Sequence, residues 1–257
     1  MTALSRTPAA IRARSVAFYL LCVASTLPFL PLLVLIFAPV RVGWPVLRAY
    51  FSVQIWLLRV VCGQRVRVTG EENLPDGPCL MAARHESAWE TLYLPWRFGN
   101  PAVMLKRELL DIPLVGNIAR KLKYIPIDRS GDLETARASF DAANAEVAEG
   151  RRILIFPAGT RDPAGRDAMQ SGVAVLYRQL GLPCVPVTHN SGDIWPHRSW
   201  LRRPGEVEIR ILPPIPPGEK TRVFLEHLGA ALGAANRPGA AGAGAPVATR
   251  GPVTPRA

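Results

Sequence analysis

The chain has 257 residues, enough for one large α/β domain or one domain with appendages, and its formal net charge is +11. This charge indicates an anionic partner: nucleic acid, a membrane surface or an acidic small molecule. The cysteines follow no C-x-x-C spacing, which argues against a metal site and a disulfide framework and predicts buried, reduced thiols in a cytoplasm-facing protein. They are Cys22, Cys62, Cys79 and Cys184.

An uncharged segment near the N-terminus, from Ser15 to Val40, decides between these partners. It exceeds the roughly 20 residues that a helix needs to cross a bilayer, and therefore predicts a membrane segment. A secretory signal competes, because arginines precede the segment, but the apolar run is too long and no cleavage site stands out. Pro28 and Pro31 favour a kink or turn inside it, and basic residues flank both ends, so a straight span and a re-entrant pair of half-helices both stay open.

A second apolar stretch, from Gly43 to Gly63, carries two arginines and several aromatic rings. It predicts an interfacial helix with its rings and arginines at headgroup depth, and a core helix of the following domain is the alternative. Residues 1–63 are thus predicted to form a membrane-anchoring helical segment. A nucleic-acid binder would explain the charge but not these apolar segments, and no stacking pattern of aromatic and basic residues occurs.

From Gln64 onward, short β-type runs alternate with helical runs, as in an α/β fold with a central sheet that is mostly parallel or mixed and is flanked by helices. The clearest helices span 132–150 and 171–181, and each ends at a glycine. The domain is predicted over 64–235, and the Gly-, Ala- and Pro-rich residues 236–257 form a disordered tail. The predicted strands are 65–70, 78–83, 101–106, 123–128, 152–157, 183–188 and 206–212.

The stretch "RHESAWETL" contains a candidate catalytic pair, His85 and Glu90. Within one helix, five positions would leave the two side chains about 140° apart, so a pair requires His85 in the turn before the helix and Glu90 inside it. The carboxylate would then fix the imidazole tautomer and stabilise the imidazolium. Ser87 and Glu90 also fit a capping box, in which Glu90 bonds the backbone N–H of Ser87. The spacing alone leaves both interpretations open.

Cationic and turn-forming residues follow three other predicted strands. "IFPAGTRD" places Gly159 in a tight turn and ends it with Arg161, whose planar guanidinium suits phosphate. Arg129 in "IPIDRS" and Lys106 in "MLKREL" follow two further strands. An ordinary loop explains each of them alone, but together with His85 they converge on one sheet edge, where such folds assemble their sites.

The blocks "HESAWE", "KRELLDIPLVGNIARKLKYIPIDRS", "IFPAGTR" and "LPCVPVTHNSG" resemble, in order, the four blocks of the glycerolipid acyltransferases, specifically the bacterial 1-acyl-sn-glycerol-3-phosphate acyltransferases. The resemblance implies the fold of that family and makes His85 the general base on the acceptor hydroxyl. The family's Asp, which orients the His, corresponds to Glu90. Its second and third blocks, which hold phosphate and glycerol, imply substrate-binding roles for Lys106, Arg129, Gly159, Thr160 and Arg161.

The resemblance further implies acyl transfer from acyl-CoA or acyl-ACP, as co-substrate, to the 2-hydroxyl of lysophosphatidic acid, which gives phosphatidic acid in phospholipid biosynthesis. Its implied partners are membrane lipids, lysophosphatidic acid and acyl-CoA or acyl carrier protein, without nucleic acid, and it implies no cofactor or metal. The implied location is the cell inner membrane, with the catalytic domain facing the cytoplasm. Backbone N–H groups near Ser87 are expected to receive the oxyanion.

One position departs from the family pattern, because Ala158 stands where the third block normally has Glu. This loss of a carboxylate leaves two alternatives open. The first is acylation of another lysolipid, such as a lyso-ornithine lipid, and retention of Arg129 and Arg161 argues for the phosphate instead. The second is a weakly active, membrane-bound lipid-binding homologue.

Overall fold

A computed structural model describes residues 7–31, 40–127, 133–162, 165 and 169–234. The α-helices in this part of the chain are α1 (Pro8–Thr26), α2 (Val40–Val60), α3 (Trp89–Arg97), α4 (Val115–Lys121), α5 (Leu133–Ala148), α6 (Gly172–Leu180), α7 (Ser191–Ile194) and α8 (Thr221–Ala234). The strands are β1 (Gln64–Thr69), β2 (Leu80–Ala83), β3 (Ala102–Lys106), β4 (Ile125–Ile127), β5 (Ile153–Ile155), β6 (Cys184–His189) and β7 (Gly205–Ile211). Short 3-10 helices span Leu27–Phe29, Glu71–Asn73 and Arg107–Asp111.

The strands form one sheet in the order β1-β7-β6-β2-β5-β3-β4. All neighbouring pairs are parallel except β6 and β7, so β1 and β7 run against the other five strands. The predicted mixed α/β fold is therefore confirmed, and every strand lies within about two residues of its predicted bounds. The predicted tail, 236–257, lies outside the described residues.

Helices cover both faces of the sheet. The first face packs against α1, α2 and α3 and includes Phe18, Leu58 and Trp89, whereas the second packs against α5, α6 and α8 and includes Ala143, Tyr177 and Phe224. Because both faces are covered, every residue of the central strands β2, β5 and β6 is buried, which explains the uninterrupted apolar runs of β2 and β5. Strand β1 at the sheet edge instead alternates between less and more exposed residues.

Helices α1 and α2 pack as an antiparallel pair. Gln54 donates to Oγ of Ser25 at 3.1 Å, and the rings of Phe29 and Tyr50 pack edge to face at 5.2 Å between centroids. The chain thus reverses direction between α1 and α2, and residues 32–39 of the apolar segment lie outside the described residues. Pro8–Phe29 has the length and composition of a membrane-crossing helix, and little of it is buried.

The base of this pair contacts the domain. Oγ of Ser15 accepts a hydrogen bond from the backbone N–H of Arg202 at 2.8 Å, and the Arg202 guanidinium lies 3.5 Å from the Trp195 ring centroid. In α2, Leu57 and Leu58 are buried in the core while Trp56 is exposed. The C-terminal part of α2 therefore packs in the core, as in the core-helix alternative, and presents one aromatic ring to the outside.

Three of the four cysteines are buried, as predicted, and Cys22 is partly buried; all four are free. Burial raises the pKa of the Cys62 and Cys79 thiols to about 11, with a partial offset by nearby arginines. Burial also raises the pKa of Cys184. These thiols are therefore protonated at neutral pH and behave as small apolar side chains.

Candidate active site

The parallel strands β2, β3, β5 and β6 all end at one edge of the sheet, and the candidate residues follow them there. His85 comes two residues after β2, Lys106 ends β3, and Gly159 to Arg161 follow β5. Sequence reasoning did not select Ser191, which begins the short helix α7 after β6. Arg129 follows β4 but lies outside the described residues.

His85 and Glu90 form a hydrogen-bonded pair. Nδ1 of His85 lies 2.8 Å from Oε1 of Glu90, and the Phe156 ring stacks on the imidazole with the centroids 4.4 Å apart. His85 retains 17% of its side-chain exposure, whereas Glu90 has none. A proton on Nδ1 donates to the carboxylate and leaves Nε2 as the acceptor nitrogen. This geometry can perform general base chemistry at Nε2.

The Glu90 carboxylate also caps the chain ahead of its own helix. Oε1 accepts from the backbone N–H groups of Glu86 and Ser87, both at 3.0 Å. Oε2 accepts from Oγ of Ser87 and Oγ of Ser191, both at 2.7 Å. The choice between a cap and a dyad therefore does not arise, because one buried carboxylate makes both sets of contacts. The other half of the capping box differs, since Oγ of Ser87 accepts from Trp89 N rather than from Glu90 N.

These contacts set the charge of Glu90. Burial by itself raises the pKa of this carboxyl, but the hydrogen bond from His85, the charges of His189 and His85 and the Ser87 N–H outweigh it and lower the pKa to about 2. Glu90 is thus an anion at neutral pH. It is a fixed counter-ion for an imidazolium at position 85.

The expectation that backbone N–H groups near Ser87 receive an oxyanion is wrong for the N–H groups of Glu86, Ser87 and Trp89, which already donate within the protein. The N–H groups of Glu86 and Ser87 point at Glu90, and that of Trp89 points at Oγ of Ser87. The Glu90 carboxylate thus occupies two of these three donors, and the Ser87 hydroxyl occupies the third.

A layer of buried charge lies beneath the pair. Nε of Arg84 lies 3.2 Å from Oε1 of Glu86, and its Nη1 donates to the backbone oxygen of Leu232 at 2.7 Å. Oε2 of Glu86 accepts from Gly192 N at 3.2 Å, and Nε2 of His189 donates to the backbone oxygen of Arg84 at 2.8 Å. This layer links the turn that carries His85 to the end of β6. Sequence reasoning did not select Arg84 or Glu86. Their positions on either side of His85 were the only indication in the sequence that they belong to the site.

The residues proposed for substrate binding occupy separate turns at the same edge. Gly159 has φ +64° and its N–H donates to the backbone oxygen of Phe156 at 2.9 Å, as expected for a tight turn. Oγ1 of Thr160 accepts from the backbone of Asp162 at 3.1 Å, and Arg161 is partly exposed. The half-exposed Lys106 pairs with Glu108 at 2.9 Å. Described contacts join His85 to Glu90 and Phe156 but not to these cations.

Ala158 is buried beside the charge layer. It lines a cavity of about 30 Å³ together with Arg84, Met169 and Leu232. The carboxylate that the family pattern places at position 158 would therefore enter the interior next to a guanidinium. Among the described residues, no cluster of three or more His, Cys, Asp or Glu side chains has the arrangement of a metal site.

Comparison with known proteins identifies the family to which the chain belongs. Residues 65–190 match the family model described as "Acyltransferase". The chain is 37% identical over 218 residues to the 1-acyl-sn-glycerol-3-phosphate acyltransferase of Pseudomonas aeruginosa, with 83% of this chain and 85% of that protein covered. It is 30% identical over 151 residues to the protein of the same name from Borreliella burgdorferi, with 58% of each chain covered.

A solved structure shows the same fold. The crystal structure of the 1-acyl-sn-glycerophosphate acyltransferase PlsC from Thermotoga maritima superimposes with a TM-score of 0.67, and covers 87% of this chain and 93% of its own. Its sequence identity of 20% makes this a likeness of fold alone. The sheet, the site and the relatives together define an O-acyltransferase. The chain belongs to the acyltransferase family, among its PlsC-like members.

Proposed function

We propose that the protein transfers a fatty acyl group from acyl-CoA or acyl-ACP to the 2-hydroxyl of lysophosphatidic acid, giving phosphatidic acid for phospholipid biosynthesis. The observation that carries this proposal is the His85 imidazole, partly exposed at the sheet edge and held through Nδ1 by the ionised Glu90 at 2.8 Å. The names of the relatives from Pseudomonas and Borreliella support the choice of acceptor.

The chemistry follows from the free nitrogen of this pair. Nε2 of His85 takes the proton of the acceptor hydroxyl as that oxygen attacks the thioester carbonyl carbon. The C–S bond breaks, the new ester forms, and the imidazolium returns its proton to the departing thiolate. Glu90 stabilises the imidazolium between these two proton transfers. The acyl thioester is a co-substrate, and the proposal includes no cofactor or metal.

The acceptor phosphate is proposed to bind the cations of the neighbouring turns. Arg161 offers a planar guanidinium beside the Gly159 turn, and Gly159 and Thr160 let the backbone approach the glycerol. Lys106 and Arg129 add positive charge after the adjacent strands, with Arg129 assigned from the resemblance alone. Holding the phosphate would fix the distance between the 2-hydroxyl and Nε2.

The protein is proposed to reside at the cell inner membrane with its domain facing the cytoplasm, where acyl-CoA and acyl-ACP are made. The apolar α1 and its antiparallel packing with α2 support membrane attachment. Membrane lipids and lysophosphatidic acid are then its partners within the bilayer, and the acyl donor arrives from water. The proposal includes no nucleic-acid partner.

The test is a coenzyme A release assay on the purified protein in detergent or vesicles. Release is expected only when acyl-CoA and lysophosphatidic acid are both present, and His85→Ala should abolish it. The matched control is His227→Ala, because His227 also pairs with a glutamate, Glu219 at 3.0 Å, but lies exposed on α8. Equal release by the wild type and His85→Ala would defeat the mechanism.

A second candidate acceptor follows from Ala158. Without a carboxylate at this position, the site differs from the family pattern beside Arg84, and a lysolipid without phosphate, such as a lyso-ornithine lipid, is the alternative. A panel of lysolipid acceptors analysed by lipid mass spectrometry separates the two. Acylation of lysophosphatidic acid that falls on changing Arg161→Gln supports the phosphate acceptor. Binding of lipids without any acylation would indicate a weakly active, lipid-binding homologue.

A further inference from the structure

The segment that connects β3 to β4 presents apolar side chains to the outside. Leu109 and Leu114 are 38% exposed, and Ile112 and Val115 are 46% exposed. These four residues lie within seven positions, whereas exposed large apolar residues elsewhere in the α/β domain are mostly isolated. We call residues 109–115 the apolar turn. Large exposed apolar groups in one place mark a surface that binds a partner or a membrane.

The backbone holds these side chains in place. Leu114 has φ +69° and ψ −52°, and the N–H of Val115 donates to the backbone oxygen of Pro113 at 2.8 Å, so the three residues form a γ-turn with positive φ. This conformation is rare and strained for a residue other than Gly. Gly116 lies so close to the chain that a Cβ there would meet the backbone oxygen of Leu110 at 1.9 Å. These contacts give the apolar turn a defined backbone conformation.

Basic side chains outnumber acidic ones around the apolar turn, which itself contains the exposed Asp111. Five basic side chains and two acidic ones lie between positions 106 and 123. Arg120 donates to the backbone oxygen of Leu110 at 2.8 Å, which keeps this exposed guanidinium next to the turn. Arg107 and Lys123 are also exposed. Apolar residues flanked by basic residues match the chemistry of an anionic leaflet, with acyl chains inside and phosphates at its surface.

The apolar turn also lies near the candidate active site. It follows β3 at the sheet edge where His85 follows β2, and only β5 separates these two strands. Neighbouring strands are about 4.8 Å apart, so β3 and β2 end roughly 10 Å from each other. A lipid surface that contacts the apolar turn would thus reach close to the imidazole.

From these observations we infer that the apolar turn is a second membrane-contact site, separate from α1 and α2, which inserts into the headgroup boundary of an anionic bilayer. The inference goes beyond the proposed function and does not depend on it. The bilayer is favoured over a protein partner because basic side chains predominate around the turn and the exposed apolar residues are aliphatic, without aromatic anchors.

The test places an environment-sensitive probe, nitrobenzoxadiazole, on single cysteines in the full-length protein. The background is Cys22→Ser, because the other three native thiols are buried. The probe is attached at Ile112→Cys or Val115→Cys, and the matched control is Val175→Cys on α6, where the native side chain is 48% exposed. Leu20→Cys on α1 serves as the reference for membrane contact.

With vesicles of phosphatidylglycerol and phosphatidylcholine, we expect a blue shift of emission at positions 112 and 115 and quenching by nitroxide-labelled acyl chains. The probe at 175 should stay in water. Unchanged emission at 112 and 115, or an equal shift at 175, would overturn the inference. A shift that appears without vesicles and grows with protein concentration would show contact between protein chains and also overturn it. The readout needs no turnover, so a failure of the acyl-transfer proposal would leave it unaffected.

Discussion

Oγ of Ser191 lies 2.7 Å from Oε2 of Glu90, so a hydroxyl at the end of β6 holds a carboxylate on α3 that is 101 positions earlier in the chain. Both side chains are buried, with no exposed fraction. Ser87 donates to the same oxygen at the same distance. The carboxylate is thus fixed from two elements, and its direction toward His85 depends on both.

Ser191→Ala is predicted to impair catalysis without weakening substrate binding. Loss of a hydrogen bond to a buried charge costs roughly 1.5–3 kcal/mol of stability and loosens the carboxylate. We expect kcat to fall about tenfold with little change in KM for the lysolipid. Ser191→Thr keeps the hydroxyl and should restore most of the activity.

The control for this change is Ser171→Ala, because Ser171 is exposed and its side chain makes no cap hydrogen bond at the start of α6. Steady-state kinetics and thermal unfolding of all three variants complete the comparison. A purely structural role would lower Tm in Ser191→Ala while leaving kcat of the folded fraction unchanged.

Two substitutions of Glu90 are predicted to separate the effect of its charge on kcat from the effect of its side-chain length. Glu90→Gln keeps the length and removes the charge, and should lower kcat about 10²–10⁴-fold because the imidazolium loses its counter-ion. Glu90→Asp keeps the charge but withdraws it by one methylene from His85 and Ser191. We expect about a hundredfold loss, as for other displacements of about 1 Å in a catalytic group.

The measurement for both variants is the rate of coenzyme A release under saturating substrate. Full activity of Glu90→Asp would show that the site adapts to the shorter carboxylate, and that the contacts described for Glu90 are not required. Full activity of Glu90→Gln would remove Glu90 from the mechanism.

The ionised Glu90 is predicted to make the fold sensitive to acid. Its pKa is lowered to about 2 in the folded protein from an ordinary value of 4.5. Because the folded-state pKa is the lower one, the stabilisation is complete above about pH 4.5 and is lost as the pH falls toward 2. A shift of this size corresponds to roughly 3 kcal/mol.

Denaturant unfolding between pH 7 and pH 3 in detergent tests this expectation, with Glu90→Gln as the reference. The stability of the wild type should fall more steeply with acid than that of the variant. Parallel curves for the two proteins would contradict the lowered pKa.

Ala158→Glu is predicted to preserve or improve acceptor binding. The new carboxylate would enter the small cavity that Arg84 lines and find a cationic partner there. Overfilling this cavity should cost about 1–3 kcal/mol of stability. Ala158→Gln has nearly the same shape without the charge and is the matched control.

KM for lysophosphatidic acid is the quantity to measure in both variants. An unchanged or lower KM in Ala158→Glu, but not in Ala158→Gln, is the expected result. A clear loss of activity in Ala158→Glu alone would mean that this site has been rebuilt for a different acceptor.

Local sequence patterns predicted the strands well, because the apolar runs are bounded by turn residues and each central strand is buried on both faces. The pair of His85 and Glu90 could also be predicted from the sequence, since both residues lie in one strand-to-helix connection. The role of Ser191 could not be predicted from the sequence, because it depends on β6 lying next to β2. No local sequence pattern specifies the order of the strands in the sheet.

The failed oxyanion expectation has a similar cause. The capping box predicted a bond from the N–H of Ser87 to Glu90, but not that the same carboxylate also accepts from the N–H of Glu86. In the structure, this one buried carboxylate contacts His85 and both N–H groups together. Such sharing of one carboxylate is visible only when the positions of all these atoms are known.

The bond between Ser15 and Arg202 has a consequence for how the protein is made. Its partners are 187 positions apart, and Phe18 nearby is buried in the core. During synthesis α1 emerges from the ribosome long before the residues that cover its inner face. The side chains of α1 that contact Trp195 and Arg202 therefore find these partners only after most of the domain has been synthesised, so the packing of α1 on the domain is a late step of folding.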